Sequence, residues 1–87
     1  MELVFYVITE IVEVDCVDAF VSTNNHTTDK EEAFNMFLTR RSMLLNSKST
    51  IRVIKDNFSE KDEYGFTKVE LDTGFTIEIA FSKLELV

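Results

Sequence analysis

The sequence predicts an α+β fold: an antiparallel sheet of four to five strands with one helix packed on one face, in the order β-β-α-β-β-β. Three observations predict it. Runs rich in Val, Ile, Phe and Thr near both ends of the chain suit a pleated, half-buried surface. Between them, Ala33, Phe34, Phe37, Leu38, Leu44 and Leu45 recur near helical period. The strands bunch before and after that helix instead of alternating with helices, which favours an antiparallel sheet over a parallel one. With 87 residues, two glycines and no proline, the chain makes a single domain, residues 1–87, with little material for linkers.

Leu3 to Val14 reads as the first strand. Its start is apolar on both faces, with Leu3, Phe5 and Val7 on one and Val4, Tyr6 and Ile8 on the other, as in a central strand covered twice. Glu10 and Glu13 then fall on opposite faces. A turn is expected at Asp15-Cys16, then a shorter strand through Val17, Ala19 and Val21, then a polar loop at Asn24-Asn25-His26-Thr27.

The helix is expected from Thr28 to Leu45. Thr28 and Glu31 have the spacing of a capping box, and Asp29, Glu31 and Glu32 place negative charge at the positive end of the dipole. Arg40 and Arg41 lie toward the C-terminal half, where cations are favoured. Asn46 is expected to end the helix in the left-handed conformation. Phe34, Phe37, Leu38, Leu44 and Leu45 should pack on Val69, Leu71, Ile77 and Ile79.

Three strands follow. Thr50 to Lys55 is short, and Asp56 to Gly65 reads as a polar loop. Phe66 to Leu71 and Phe75 to Phe81 flank Asp72-Thr73-Gly74, where Gly74 suits the left-handed position of a hairpin loop. After Phe81 the apolar period slips to Leu84 and Leu86, which predicts a bulge near Ser82-Lys83. One helix shields one side of a sheet, so the second face of the first strand needs another cover. The candidates are the 56–65 loop, through Phe58 and Tyr64, and a second copy of the chain; the homodimer is the favoured cover.

Composition excludes several functions. One cysteine rules out an intramolecular disulfide and a four-cysteine metal site, and one histidine rules out His-pair metal motifs. Cys16 at a turn and His26 in the next loop fall at opposite ends of a hairpin, too far apart for a nucleophile and its base. Asp56 to Glu63 resembles a calcium loop only in charge: Phe58 stands at the third position and Lys61 where the sharp-turn glycine belongs. No hydrolase, kinase or dinucleotide motif occurs. The chain therefore reads as non-enzymatic, without cofactor or metal. Glu2 stands where a signal peptide carries positive charge, and the first apolar run ends at Thr9-Glu10, so a cytoplasmic location is expected.

Charge gives the positive signal. Sixteen acids against nine bases leave a formal net charge of −7, which disfavours nucleic acid and anionic membrane as direct partners and favours a basic protein surface. The charges are also segregated. Residues 1–29 hold six acids and no Lys or Arg; residues 33–55 hold five bases and no acid. Opposite elements could simply pair across the domain, at little gain per exposed pair. Alternatively, Glu10, Glu13, Asp15 and Asp18 form an acidic edge that presents carboxylates to a basic partner as a phosphate backbone would. Asp56, Glu60, Asp62 and Glu63 are the competing acidic surface.

In size and charge, though in no residue motif, this profile resembles the small inhibitors that phages and mobile elements encode against host defence nucleases. The resemblance implies a protein that blocks a nucleic-acid-binding surface. The alternative is an accessory module that self-associates through its sheet, with no inhibitory role.

Overall fold

The computed structural model describes residues 3–13 and 20–86. Five strands form one antiparallel sheet: β1 (Leu3–Glu13), β2 (Phe20–Thr27), β3 (Thr50–Ser59), β4 (Tyr64–Leu71) and β5 (Thr76–Leu86). Their spatial order is β2-β1-β5-β4-β3, and a single helix, α1 (Lys30–Leu45), touches all five. This is the α+β architecture and element order that the sequence predicts. The predicted turn at Asp15-Cys16 and the residues Val14, Val17 and Ala19 lie outside the described residues.

The last strand holds the two halves of the chain together. β5 lies between β1 and β4, and its pairing with β1 runs unbroken from Leu3↔Leu86 to Glu13↔Thr76. The bulge expected at Ser82-Lys83 is therefore absent. The apolar period slips for another reason: Phe81 faces α1, whereas Leu84 pairs with Phe5 on the opposite face. The irregularities sit instead in the edge strand β3, between Thr50 and Arg52 and between Val53 and Lys55. There the extra residues Ile51 and Ile54 are exposed. Bulges twist an edge and hinder its pairing with a further strand.

Two segments read as loops are strand. Asn24 to Thr27 belongs to β2, with Asn25 opposite Ile8 and Thr27 opposite Tyr6. The long apolar β1 supplies a backbone ladder that outweighs the low strand propensity of Asn, and on an edge strand the polar side chains stay wet. Likewise Asp56 to Ser59 extends β3, and Tyr64 and Gly65 begin β4, so the 56–65 loop shrinks to a four-residue turn. Glu63 in that turn has φ 59°, and Gly74 in the β4–β5 turn has φ 90°. The latter is the left-handed position expected of it.

The helix starts one residue later than its capping box suggests. Asp29 is the N-cap, and its Oδ1 accepts the Glu32 amide at 3.2 Å. Thr27 Oγ1 in turn accepts the Asp29 amide, so Thr28 does not cap. At the other end Asn46 is the C-cap with right-handed φ −94° and ψ −1°, not the left-handed form. The Thr50 hydroxyl, donating to the Leu44 carbonyl at 2.7 Å, satisfies one of the last carbonyls and makes a left-handed cap unnecessary.

The core lies between α1 and the sheet. Ile8, Ala33, Phe34, Phe37, Leu44, Val69, Ile79 and Phe81 are buried, with Leu38, Leu45, Leu71 and Ile77 half-buried against them. Phe37 is fully enclosed, its ring 6.0 to 6.4 Å from those of Phe34, Phe58 and Phe81. Beneath it lies Gly65, flanked across the ladder by Phe58 and Phe81. A Cβ at Gly65 would stand 2.8 Å from the Phe37 ring. Phe58 thus faces the helix and does not fold over the second face, while Tyr64 bonds Asn57. Tyr6 and Ile8 also face the helix: Ile8 is buried and Tyr6 stacks on Phe81. On β1 the apolar residues that face away from the helix are therefore Leu3, Phe5 and Val7.

Phe37→Ala should cost about 3–5 kcal/mol of unfolding free energy, the loss typical of a truncated core aromatic. Gly65→Ala should cost about 1–3 kcal/mol, because the enclosed ring cannot move aside. Denaturant titration checks both. Combining Gly65→Ala with Phe37→Leu should cost clearly less than the sum, since both changes act on one contact.

Candidate functional site

Two consecutive arginines link the helix to the sheet on its two flanks. At 3.6 residues per turn, neighbours point about 100° apart, so Arg40 and Arg41 reach opposite flanks. Arg41 meets Asp56 of β3, Nε to Oδ1 at 2.8 Å and Nη2 to Oδ2 at 2.5 Å, and its guanidinium lies 4.7 Å from the Phe58 ring centroid. The enclosed Thr67 donates to Asp56 Oδ1 at 2.8 Å. Hydrogen bonding to Arg41 holds the Asp56 carboxyl below its ordinary value, against partial burial and helped by Thr67. The bond to Asp56 also raises Arg41. On the other flank Arg40 Nη2 meets Glu10 Oε1 of β1 at 2.6 Å.

One helix cannot cover five strands, and the uncovered strip beside β1 and β2 forms a groove of about 610 Å³. Buried Ile8 and Ile79 lie at its floor, and half-buried Met36 supplies apolar surface beside them. Its charges come from Glu10 on β1, Asp29, Glu31 and Glu32 at the start of α1, and Arg40. The local balance is four carboxylates to one guanidinium. Chain connection explains this gathering: β2 runs almost directly into α1, so the acids that complement the helix dipole also stand beside the groove.

The acidic edge read from the sequence is divided by the fold. Glu10 lines the groove, Glu13 is exposed at the end of β1 on the opposite face, and Asp15 and Asp18 lie outside the described residues. The competing surface is divided as well. Asp56 is held by Arg41, Glu63 lies 3.4 Å from Lys83, and Glu60 and Asp62 are exposed at the β3–β4 turn. Lys83 also bonds Glu85 at 2.9 Å, which raises its pKa. The residues missed as surface were Asp29, Glu31 and Glu32. Their signal was already used for the helix dipole, and nothing local shows that β1 would lie beside them.

On the far side of the sheet, Phe5, Val7, Leu84, Asn24 and His26 line a shallow hollow of about 320 Å³. His26 meets Phe5 edge to face at 6.1 Å. Cys16 lies outside the described residues. Among the described residues no three His, Cys, Asp or Glu side chains gather to hold a metal ion, and no helix is long and apolar enough to cross a membrane. In comparisons with known proteins, no family model, no curated protein and no solved structure matched this chain. Function must then be read from the chain's own side chains.

The Arg41–Asp56 pair makes stability depend on acid. A carboxyl whose folded pKa lies below its ordinary 3.8 adds stability that is present above that value and lost as pH falls through the folded pKa. A double-mutant cycle of Arg41→Ala and Asp56→Ala should give a coupling of about 0.5–1 kcal/mol at pH 7. Repeated at pH 2, the coupling should shrink; an unchanged value would mean the contact is not ionic.

Proposed function

We propose that this chain is a small acidic, non-enzymatic protein-binding module that takes a basic segment of a partner protein into the groove between α1 and β1–β2. The observation that carries this reading is the groove itself: apolar surface with four carboxylates and one cation around it, on a chain of net charge −7. The apolar part gives area to bury, and the carboxylates give orientation and a fast encounter with positive charge. If the basic segment belongs to a nucleic-acid-binding surface, an occupied groove blocks that surface, as in the phage inhibitors the chain resembles in size and charge.

A second reading has its own observation. Leu3 and Leu84 are 49% and 47% exposed, beside half-buried Phe5 and Val7 on the open face of the sheet. That strip supports self-association, which would be indifferent to salt, whereas groove binding would fade with it.

Affinity capture from lysate with the wild-type chain should retain a basic protein at about 0.1 M salt and release it near 1 M, where the Debye length falls from about 10 to about 3 Å. Glu31→Gln/Glu32→Gln should weaken capture, and Asp15→Lys/Asp18→Lys should weaken it less. The reverse ranking would move the contact to the first hairpin. A salt-independent dimer in sedimentation, with no basic protein captured, would establish the second reading instead.

A further inference from the structure

Arg40 and Arg41 are neighbours on one helix, yet they hold their carboxylates differently. Arg41 makes two bonds to Asp56, lies over Phe58, and keeps 24% of its side chain exposed. Arg40 makes one bond to Glu10, approaches Met43 Sδ at 3.7 Å, and keeps 42% exposed. Arg41 is clamped into the fold. Arg40 is joined to the sheet by a single bond, to Glu10, and that bond stands in the wall of the groove.

We propose that Arg40 is an internal stand-in for the ligand: the Glu10 end of the groove is a guanidinium seat, filled by Arg40 in the free protein and yielded to an arginine of the bound partner. This rests on the reading of the groove as the binding surface, and it specifies arginine as what the groove recognises. A guanidinium presents a planar fork that can engage both oxygens of a carboxylate. An incoming arginine that does so at Glu10 replaces one bond with two. Arg40, already partly in water, gives up only a half-exposed pair, a contact worth little. The methylene stem of the arriving arginine can lie on half-buried Met36, since long cationic side chains cover apolar surface while their heads stay polar. Asp29, Glu31 and Glu32 remain to attract further cations of an arginine-rich segment. Lysine, a point charge without the fork, fits this seat less well.

Fluorescence anisotropy with labelled oligo-arginine and oligo-lysine peptides at low salt tests the displacement. The variants are Arg40→Gln, Arg40→Lys, Glu10→Gln, Glu10→Gln/Arg40→Gln, and Lys48→Gln as a control. Lys48 is exposed after α1 and does not line the groove, so Lys48→Gln makes the same change in net charge without opening the seat. Arg40→Gln should bind oligo-arginine about three- to fivefold more tightly than wild type. Arg40→Lys should fall between them, Lys48→Gln should change affinity much less, and the gain should vanish when Glu10 is also replaced. Oligo-lysine should gain less than oligo-arginine. If wild type binds in a salt-sensitive way but Arg40→Gln only matches Lys48→Gln, or weakens binding, the displacement is overturned and the groove reading stands. If neither wild type nor any variant binds in a salt-sensitive way, both are overturned.

Discussion

The structure depends on one close contact, the Phe37 ring lying on the bare backbone of Gly65. A single helix must anchor a five-stranded sheet, and it does so where a side chain is missing from the sheet. Glycine weakens a strand by removing packing and by widening the unfolded ensemble. Here that cost is offset because its absent Cβ lets an aromatic ring descend between Phe58 and Phe81. The helix is thereby placed across the middle of the sheet, over β1, β5 and β4. Everything that α1 covers or leaves uncovered follows from this placement.

Arg41 holds the rotation of the helix once Phe37 has set its position, and Arg40 adds a looser tether on the other flank. Arg41 reaches β3 and Arg40 reaches β1, two strands separated in the sheet by β5 and β4. The segregation of charge along the sequence takes physical form here. The basic C-terminal half of the helix meets an acid from the acid-only N-terminal region on one flank and an acid from β3 on the other. Neither pair is fully buried, so each adds orientation more than stability. The flanks still differ. Toward β3 the space is closed by Phe58 and the Arg41–Asp56–Thr67 contacts. Toward β2, where Asn25 faces the helix side, it stays open as the groove.

The sheet's other face obeys a different constraint. Strict alternation sends Leu3, Phe5 and Val7 away from the helix because Tyr6 and Ile8 must face it. Leu84 follows through its register with Phe5. The edges are protected in two ways. β2 carries polar residues, and β3 carries two bulges and the charges of Arg52 and Lys55. Both devices hinder pairing with a further strand. Association through this sheet would therefore be expected across its face more than along its edges.

Local chemistry sufficed for much of this. The element order, the helix and most of its core positions, the central first strand and the left-handed Gly74 were legible because alternation, helical period and turn geometry are properties of short segments. Three kinds of feature were not. Asn24 to Thr27 and Asp56 to Ser59 are polar enough to read as loops, and they become strand only because a long neighbour offers each a backbone ladder. The cap moved from Thr28 to Asp29 because β2 continues through Thr27, leaving that threonine to accept the Asp29 amide. Glu10 and Glu13 point apart on β1, whereas Glu10 shares a groove with Asp29, Glu31 and Glu32, residues that only tertiary structure makes its neighbours. Sequence alone determined the order of strands and helix and how much charge they carry; the packing of one helix on five strands decided which charges share a groove, because a single helix leaves one flank of the sheet uncovered.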